Sequence, residues 1–147
     1  MLCQISTFFA AGHETTSSAL TWCLYAVAKD KRVQDRLRKA LRELEEERTS
    51  ENQPPTTDDL TDRIMRCTYL DWVVRESLRL HAPVTNTMRV CMREEDSIPV
   101  RDETGYVDAR GKRRWEIPVR KWDIISIPIQ AINKSQVFWG EDATAFR

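Results

Sequence analysis

The sequence carries no surplus of charge. Its 23 Lys and Arg stand against 23 Asp and Glu in 147 residues, so no global field draws it to nucleic acid or to an anionic membrane. Four cysteines, Cys3, Cys23, Cys67 and Cys91, lack a CxxC pair or any zinc-ligand spacing, which removes the common metal-finger classes. Cys23 and Cys67 fall in apolar helical patterns and read as buried thiols, reduced in a cytosolic setting. No basic, apolar and small-residue leader pattern opens the chain. Internal repeats and low-complexity tracts are missing too. The apolar start, residues 1–27, falls short of a membrane span because Gln4, His13, Glu14 and a Thr/Ser cluster interrupt it. A central Glu is costly in lipid, so this stretch reads as a core helix surrounded by protein. With 41% hydrophobic and 31% charged residues, the composition suits a folded domain and not a disordered one.

The hydropathy pattern predicts a helix from Leu2 to Ala28, apolar on nearly every face. Asp30 is placed to cap a second, amphipathic helix that turns Val33, Leu37, Ala40, Leu41 and Leu44 inward. Its acidic stretch Glu43 to Glu47 reads as a solvated end. The Ser50, Asn52, Pro54, Pro55 region reads as a surface loop, with a short helix opening at Asp58-Asp59-Leu60. A longer helix covers Tyr69 to His81, and Pro83 stops it, since proline lacks an amide donor and disfavours helical geometry before it. Beyond Pro83 the texture turns to strands: Thr87 to Cys91, Ile98 to Val100 and Ile124 to Ile129. Asp102 to Gly105 is turn-like, and Arg110-Gly111-Lys112-Arg113-Arg114 reads as a solvated hairpin tip. The tail from Gln130 to Arg147 shows little periodicity. These elements predict a mostly α fold with small β-sheets, an α+β arrangement, helical over 1–83 and strand-and-loop over 84–147.

Two stretches do not fit a helix built only for stability. Phe8-Phe9-Ala10-Ala11-Gly12-His13-Glu14-Thr15-Thr16-Ser17-Ser18 puts a glycine, a carboxylate and a run of hydroxyls into an apolar segment. Gly12 costs roughly 1 kcal/mol against alanine in a helix, and a carboxylate among aromatic residues needs a partner or a function. His13 has no acidic or Cys/His partner at ligand spacing and reads as an ordinary residue. In Glu76-Ser77-Leu78-Arg79 the acid and base share a helix face. A surface ion pair there would contribute under about 1 kcal/mol, but Leu70, Val73, Val74, Leu78 and Leu80 make the helix largely apolar.

The first stretch, Ala-Gly-x-Glu-Thr-Thr, resembles the central-helix motif of the cytochrome P-450 haem-thiolate monooxygenases. Tyr69-Leu70-x-x-Val73-x-x-Glu76-Ser77-Leu78-Arg79-Leu80-x-x-Pro83-Val84 resembles the same family's Glu-x-x-Arg helix, flanks included. Arg89 stands where the family places an arginine that binds a haem propionate. Ile117-Pro118-Val119-Arg120-Lys121-Trp122-Asp123-Ile124-Ile125 resembles its Ile-Pro-x-Gly-x-x-Val turn, and Trp139-Gly140-Glu141-Asp142-Ala143 the stretch before the haem-ligand loop. Two departures stand out. Trp122 replaces the usual glycine, so a turn of different shape is expected, and Asn133 replaces a common histidine. The long hairpin around Val100 to Trp115 is similar to that of fungal members.

The resemblance implies a partial catalytic domain that inserts one atom of dioxygen into an organic substrate. It implies haem as cofactor, with electrons from NADPH through a reductase, and a catalytic domain on the cytosolic side of the endoplasmic reticulum membrane. Glu14 and Thr15 would be catalytic, the acid relaying protons and the alcohol holding water. Ala11, Gly12, Thr15, Thr16 and Arg89 would contact the cofactor, and Glu76 with Arg79 would form a structural ion pair behind it. The family's ligand loop, Phe-x-x-Gly-x-x-x-Cys-x-Gly, has no counterpart here, because no cysteine follows Gly140 and none has glycine two places on. The earlier helices and any N-terminal anchor are absent as well. The 147 residues by themselves are therefore expected to be inactive. The alternatives are a non-catalytic helical binding module or a truncated pseudogene product; no nucleic-acid partner and no transmembrane segment is expected in this fragment.

Overall fold

The computed structural model describes residues 2–50, 57–100 and 104–147, and side chains within 4–46, 61–100 and 104–147. The chain forms two compact units: residues 1–85 with 129–147, and residues 86–128. The first unit is helical. Helix α1 runs Leu2–Lys29 without a break at Gly12, and α2 runs Lys31–Ser50. Asp30 joins them as the cap: its Oδ1 accepts the backbone N–H groups of Arg32 at 2.9 Å and Val33 at 3.2 Å. Those bonds satisfy donors that a helix start leaves open. They also hold the Asp30 carboxyl below the usual carboxylate range, the Val33 amide contributing most.

Helix α2 buries Val33 and half-buries Leu37, Ala40 and Leu44, with Leu41 at the exposed rim. Its outer face carries the pairs Lys31–Asp35, Arg38–Asp35 and Lys39–Glu43. The predicted loop falls largely on residues 51–56, outside the described residues. Helix α3 (Thr57–Met65) and helix α4 (Thr68–Leu80) follow. Arg36 of α2 lies 4.6 Å over the Tyr69 ring of α4, and Trp22 of α1 stacks on His81 at 4.4 Å and 6°. His81 caps α4, donating its backbone N–H to the Ser77 carbonyl.

The core of this unit is small: Ala26, Val33, Cys67, Val73, Ser77, Arg79, Leu80 and Ala143. Two expectations are corrected here. Residues 4–14 of α1 are all exposed, Phe8 at 78% and Phe9 at 74%, so within these 147 residues this half of the helix is not surrounded by protein. Cys23 is only half-buried, whereas Cys67 is buried; the Cys3 side chain lies outside the described residues.

The second unit is a nest of antiparallel pairs. Strand β1 (Thr87–Val90) pairs with β6 (Ile124–Ile127), β2 (Glu95–Pro99) with β5 (Glu116–Arg120), and β3 (Tyr106–Val107) with β4 (Arg113–Arg114). Concentric pairing of this kind needs only local turns. Pro99 and Pro118 are tolerated because every strand of a two-stranded sheet is an edge. The basic tip is exposed, as expected, and Asp108 organises it. Its Oδ1 accepts the N–H groups of Arg110 and Lys112, and its Oδ2 accepts Arg114 Nε. Residues 101–103 of the predicted turn lie outside the described set.

Trp122 corrects a third expectation. The turn keeps its shape: Trp122 adopts φ of 73°, and Asp123 N–H donates to the Arg120 carbonyl at 2.9 Å. A positive angle at the third turn position is the type II pattern that glycine usually fills. The surroundings hold it there. Trp122 N–H donates to the Cys91 carbonyl, Cys91 N–H to the Asp123 carbonyl, and Arg120 N–H to Asp123 Oδ2.

The tail returns to the helical unit. Instead of an aperiodic stretch it forms α5 (Ile129–Asn133) and α6 (Gln136–Trp139). Each is about one turn, too short to show a helical period. Gly140 ends α6 with φ of 84°, which glycine adopts without strain.

Candidate active site

The motif of α1 occupies one broad face. At 100° per residue, Ala11, Thr15, Gly12 and Thr16 fall within roughly 140° of arc, with Glu14 on the adjacent rim. Ala11, Gly12, Glu14 and Thr16 are exposed and Thr15 half-buried. A Cβ added at Gly12 would meet nothing within 4 Å, so the backbone there is open to a flat group lying against it. Thr15 Oγ1 donates to the Ala11 carbonyl at 2.8 Å, which commits its proton to the helix and leaves its oxygen free to accept. Ser17 Oγ bonds the Glu14 carbonyl and Thr21 Oγ1 the Ser17 carbonyl in the same manner. The hydroxyl run is thereby compatible with an unbroken helix. His13 is exposed, and among the described residues no group of three or more His, Cys, Asp or Glu side chains could hold a metal ion.

Glu76 and Arg79 form a second, closed constellation. Arg79 is 8% exposed. Its Nε and one Nη donate to the two Glu76 carboxylate oxygens, each at 2.7 Å, the paired geometry that makes guanidinium–carboxylate contacts strong. The remaining donors reach three backbone carbonyls: Asn133 at 2.8 Å, Ala143 at 2.5 Å and Ala145 at 3.1 Å. Arg147 N–H donates to Glu76 Oε1 at 3.2 Å, and the Arg147 side chain pairs with Asp142. The Arg79 guanidinium lies 4.9 Å over the Trp139 ring. Its pKa is raised, chiefly by the hydrogen bonds to Glu76 and against the opposing effect of burial. The sequence pointed to the acid–base pair but not to its other partners, since a backbone carbonyl has no residue signature. Trp139 was legible only as part of a motif.

Arg89 belongs to the strand unit, on β1 opposite Ile125. It is exposed, and one Nη donates to Thr87 Oγ1 at 3.1 Å and to the Met88 carbonyl at 2.8 Å. Its Nε and other Nη make no bond among the described residues, so a donor edge is available to an anionic group such as a carboxylate. Cys91, two residues on, is buried, with its Sγ 3.4 Å from the Arg93 carbonyl. Taken separately, the open glycine face of α1 suits a flat group, and the unspent donors of Arg89 suit a carboxylate.

Residues 1–100 match the profile of the cytochrome P450 family. Over its whole length the chain is 44% identical to cytochrome P450 monooxygenase 205 of Postia placenta and 40% identical to monooxygenase 128 of the same fungus. It spans 25% and 24% of those two proteins. Ganoderic acid synthetase CYP5150L8 of Ganoderma lucidum is 34% identical over 97% of the chain, which is 25% of that protein. Among solved structures, the cytochrome P450 CYP102L1 superposes with a TM-score of 0.67 over 98% of this chain and 28% of its own, at 24% identity, a likeness of fold alone. The chain spans about a quarter of the length of these relatives, and it belongs to the cytochrome P450 family.

Proposed function

We propose that the protein to which these residues belong is a haem-dependent monooxygenase: one atom of dioxygen enters an organic substrate and the other leaves as water. Two electrons and two protons balance the reaction, the electrons coming from NADPH through a reductase partner. The observation that carries this reading is the face formed by Ala11, Gly12, Thr15 and Thr16, open at Gly12 and edged by Glu14. Haem with a thiolate ligand would supply electron transfer and oxygen activation.

The residues present here prepare that chemistry. Ala11 and Gly12 keep the helix surface low. Thr15, its proton given to the Ala11 carbonyl, accepts a hydrogen bond from water and so fixes that water on the face. Glu14, exposed at the rim, exchanges protons with solvent and passes them toward that water. Arg89 offers its open donor edge to a propionate. Glu76 and Arg79 keep α4 and the tail together behind the site. The family resemblance supports residence of the whole protein on the endoplasmic reticulum membrane; among the described residues no helix is long and apolar enough to cross one.

The test is Thr15→Ala and Glu14→Gln in the full-length protein, with reductant consumption and product measured together. The expected result is NADPH oxidation that continues while product per NADPH falls at least tenfold, an effect of the order that general acid–base groups contribute. Unchanged yield in both variants overturns the roles given to Glu14 and Thr15. For the 147 residues alone we propose no turnover, because no cysteine stands in a Gly-x-x-x-Cys-x-Gly setting to hold the iron. Product formation by the isolated chain with haem and reductase would overturn that.

A further inference from the structure

The guanidinium of Arg79 has spent all of its in-plane bonding. It carries five N–H groups in one plane, and its five bonds run to Glu76 Oε1 and Oε2 and to the carbonyls of Asn133, Ala143 and Ala145. Any further contact must come from above or below that plane. A polar side chain there would find no donor left to bind, and an aliphatic one would cover the cation without attracting it. An aromatic ring does both, because its negative π-face meets the cation without requiring a proton. Trp139 provides that ring, 4.9 Å from Cζ. Gly140, with its positive φ, then turns the chain back so that the carbonyls of Ala143 and Ala145 reach the same guanidinium.

We propose that Trp139 is a positioning residue, holding Arg79 through the face of its indole so that the guanidinium stays aligned on the carbonyls that fix residues 140–147. The role belongs to the aromatic ring and not to apolar bulk at that place. It stands whether or not the oxygen chemistry proposed above is correct, since every group involved is described within the helical unit.

The test uses the 147-residue chain by nuclear magnetic resonance. Protons over an indole face are shielded, so the Arg79 guanidinium protons are expected upfield of the other arginines. The Ala143 and Ala145 amides donate to the carbonyls of Gly140 and Asp142, and their hydrogen exchange reports opening of the tail. In Trp139→Leu the upfield shift is lost and exchange at both amides rises about five- to thirty-fold, the range expected for loss of a partly desolvated cation–π contact. Trp139→Phe keeps an upfield shift and stays within about threefold of the parent chain. The Val100 amide, which donates to the Trp115 carbonyl in the strand unit, is the internal control and is unchanged in both. Exchange in Trp139→Leu equal to the parent, or Trp139→Phe as fast as Trp139→Leu, overturns the proposal. Should Trp139→Leu not fold, Trp139→Phe decides alone: absence of the upfield shift together with faster exchange overturns it.

Discussion

The α1 face and the α4 cluster carry the same family signature and are opposite in construction. On α1 the motif residues bond only to their own helix, as Thr15 does to Ala11, and most are exposed. On α4 Arg79 is buried and Glu76 half-buried, and the pair is saturated by partners up to 71 residues away in sequence. A face that makes no tertiary bonds contributes little to stability and is free to serve a ligand. A saturated buried charge does the reverse, because removing one partner strands the other. Substitution should therefore separate stability from function along the line between these two helices.

The largest effect is expected where saturation is complete. Glu76→Gln leaves Arg79 charged and facing an amide, and should cost about 3–5 kcal/mol as a broken buried pair. Urea unfolding measures this, and a loss below about 1 kcal/mol would mean the pair behaves as a surface one. Next comes the strained turn. Trp122, 65% exposed, sacrifices little burial on replacement, so Trp122→Gly should stabilise by about 1–2 kcal/mol, the cost of a left-handed conformation at a non-glycine residue. A lower unfolding midpoint in that variant would show that the indole contributes more than the strain it imposes.

Gly12→Ala sharpens the contrast from the other side. The new methyl meets nothing within 4 Å, so the isolated chain should gain up to about 1 kcal/mol from helix propensity. The full-length protein should meanwhile lose haem affinity or turnover; a variant that gains stability and keeps both would remove Gly12 from the site. The smallest effect lies at the junction of α1 and α4. His81 has its pKa lowered from 6.5, first by burial beside Trp22 and then by Lys134. The unfolded chain then takes up the proton first. The contribution of His81 is therefore full above about pH 6.5 and is lost as pH falls from there through the lower, folded pKa. His81→Phe keeps a ring against Trp22 and should flatten that part of the stability profile; an unchanged slope would assign it to other groups.

The helices were legible where their patterns were long. The breaks near Ala28 and Pro83, the cap at Asp30 and the α4 face are all local properties of the residues concerned. The expectation for Trp122 failed for a physical reason: intrinsic preference is a matter of one or two kcal/mol, and the bonds from Cys91 and Asp123 outweigh it. Helices α5 and α6 escaped notice because one turn carries no period, and what steadies this tail is an arginine far away in the chain.

The sequence by itself determined the family, the types of the longer elements and the acid–base pair on α4, because each rests on residue identity at short spacing. Tertiary structure alone decided which carbonyls Arg79 gathers, that Trp139 covers it, and that Trp122 endures a positive φ. Those outcomes depend on main-chain groups and distant neighbours, which any residue can supply and no local pattern records.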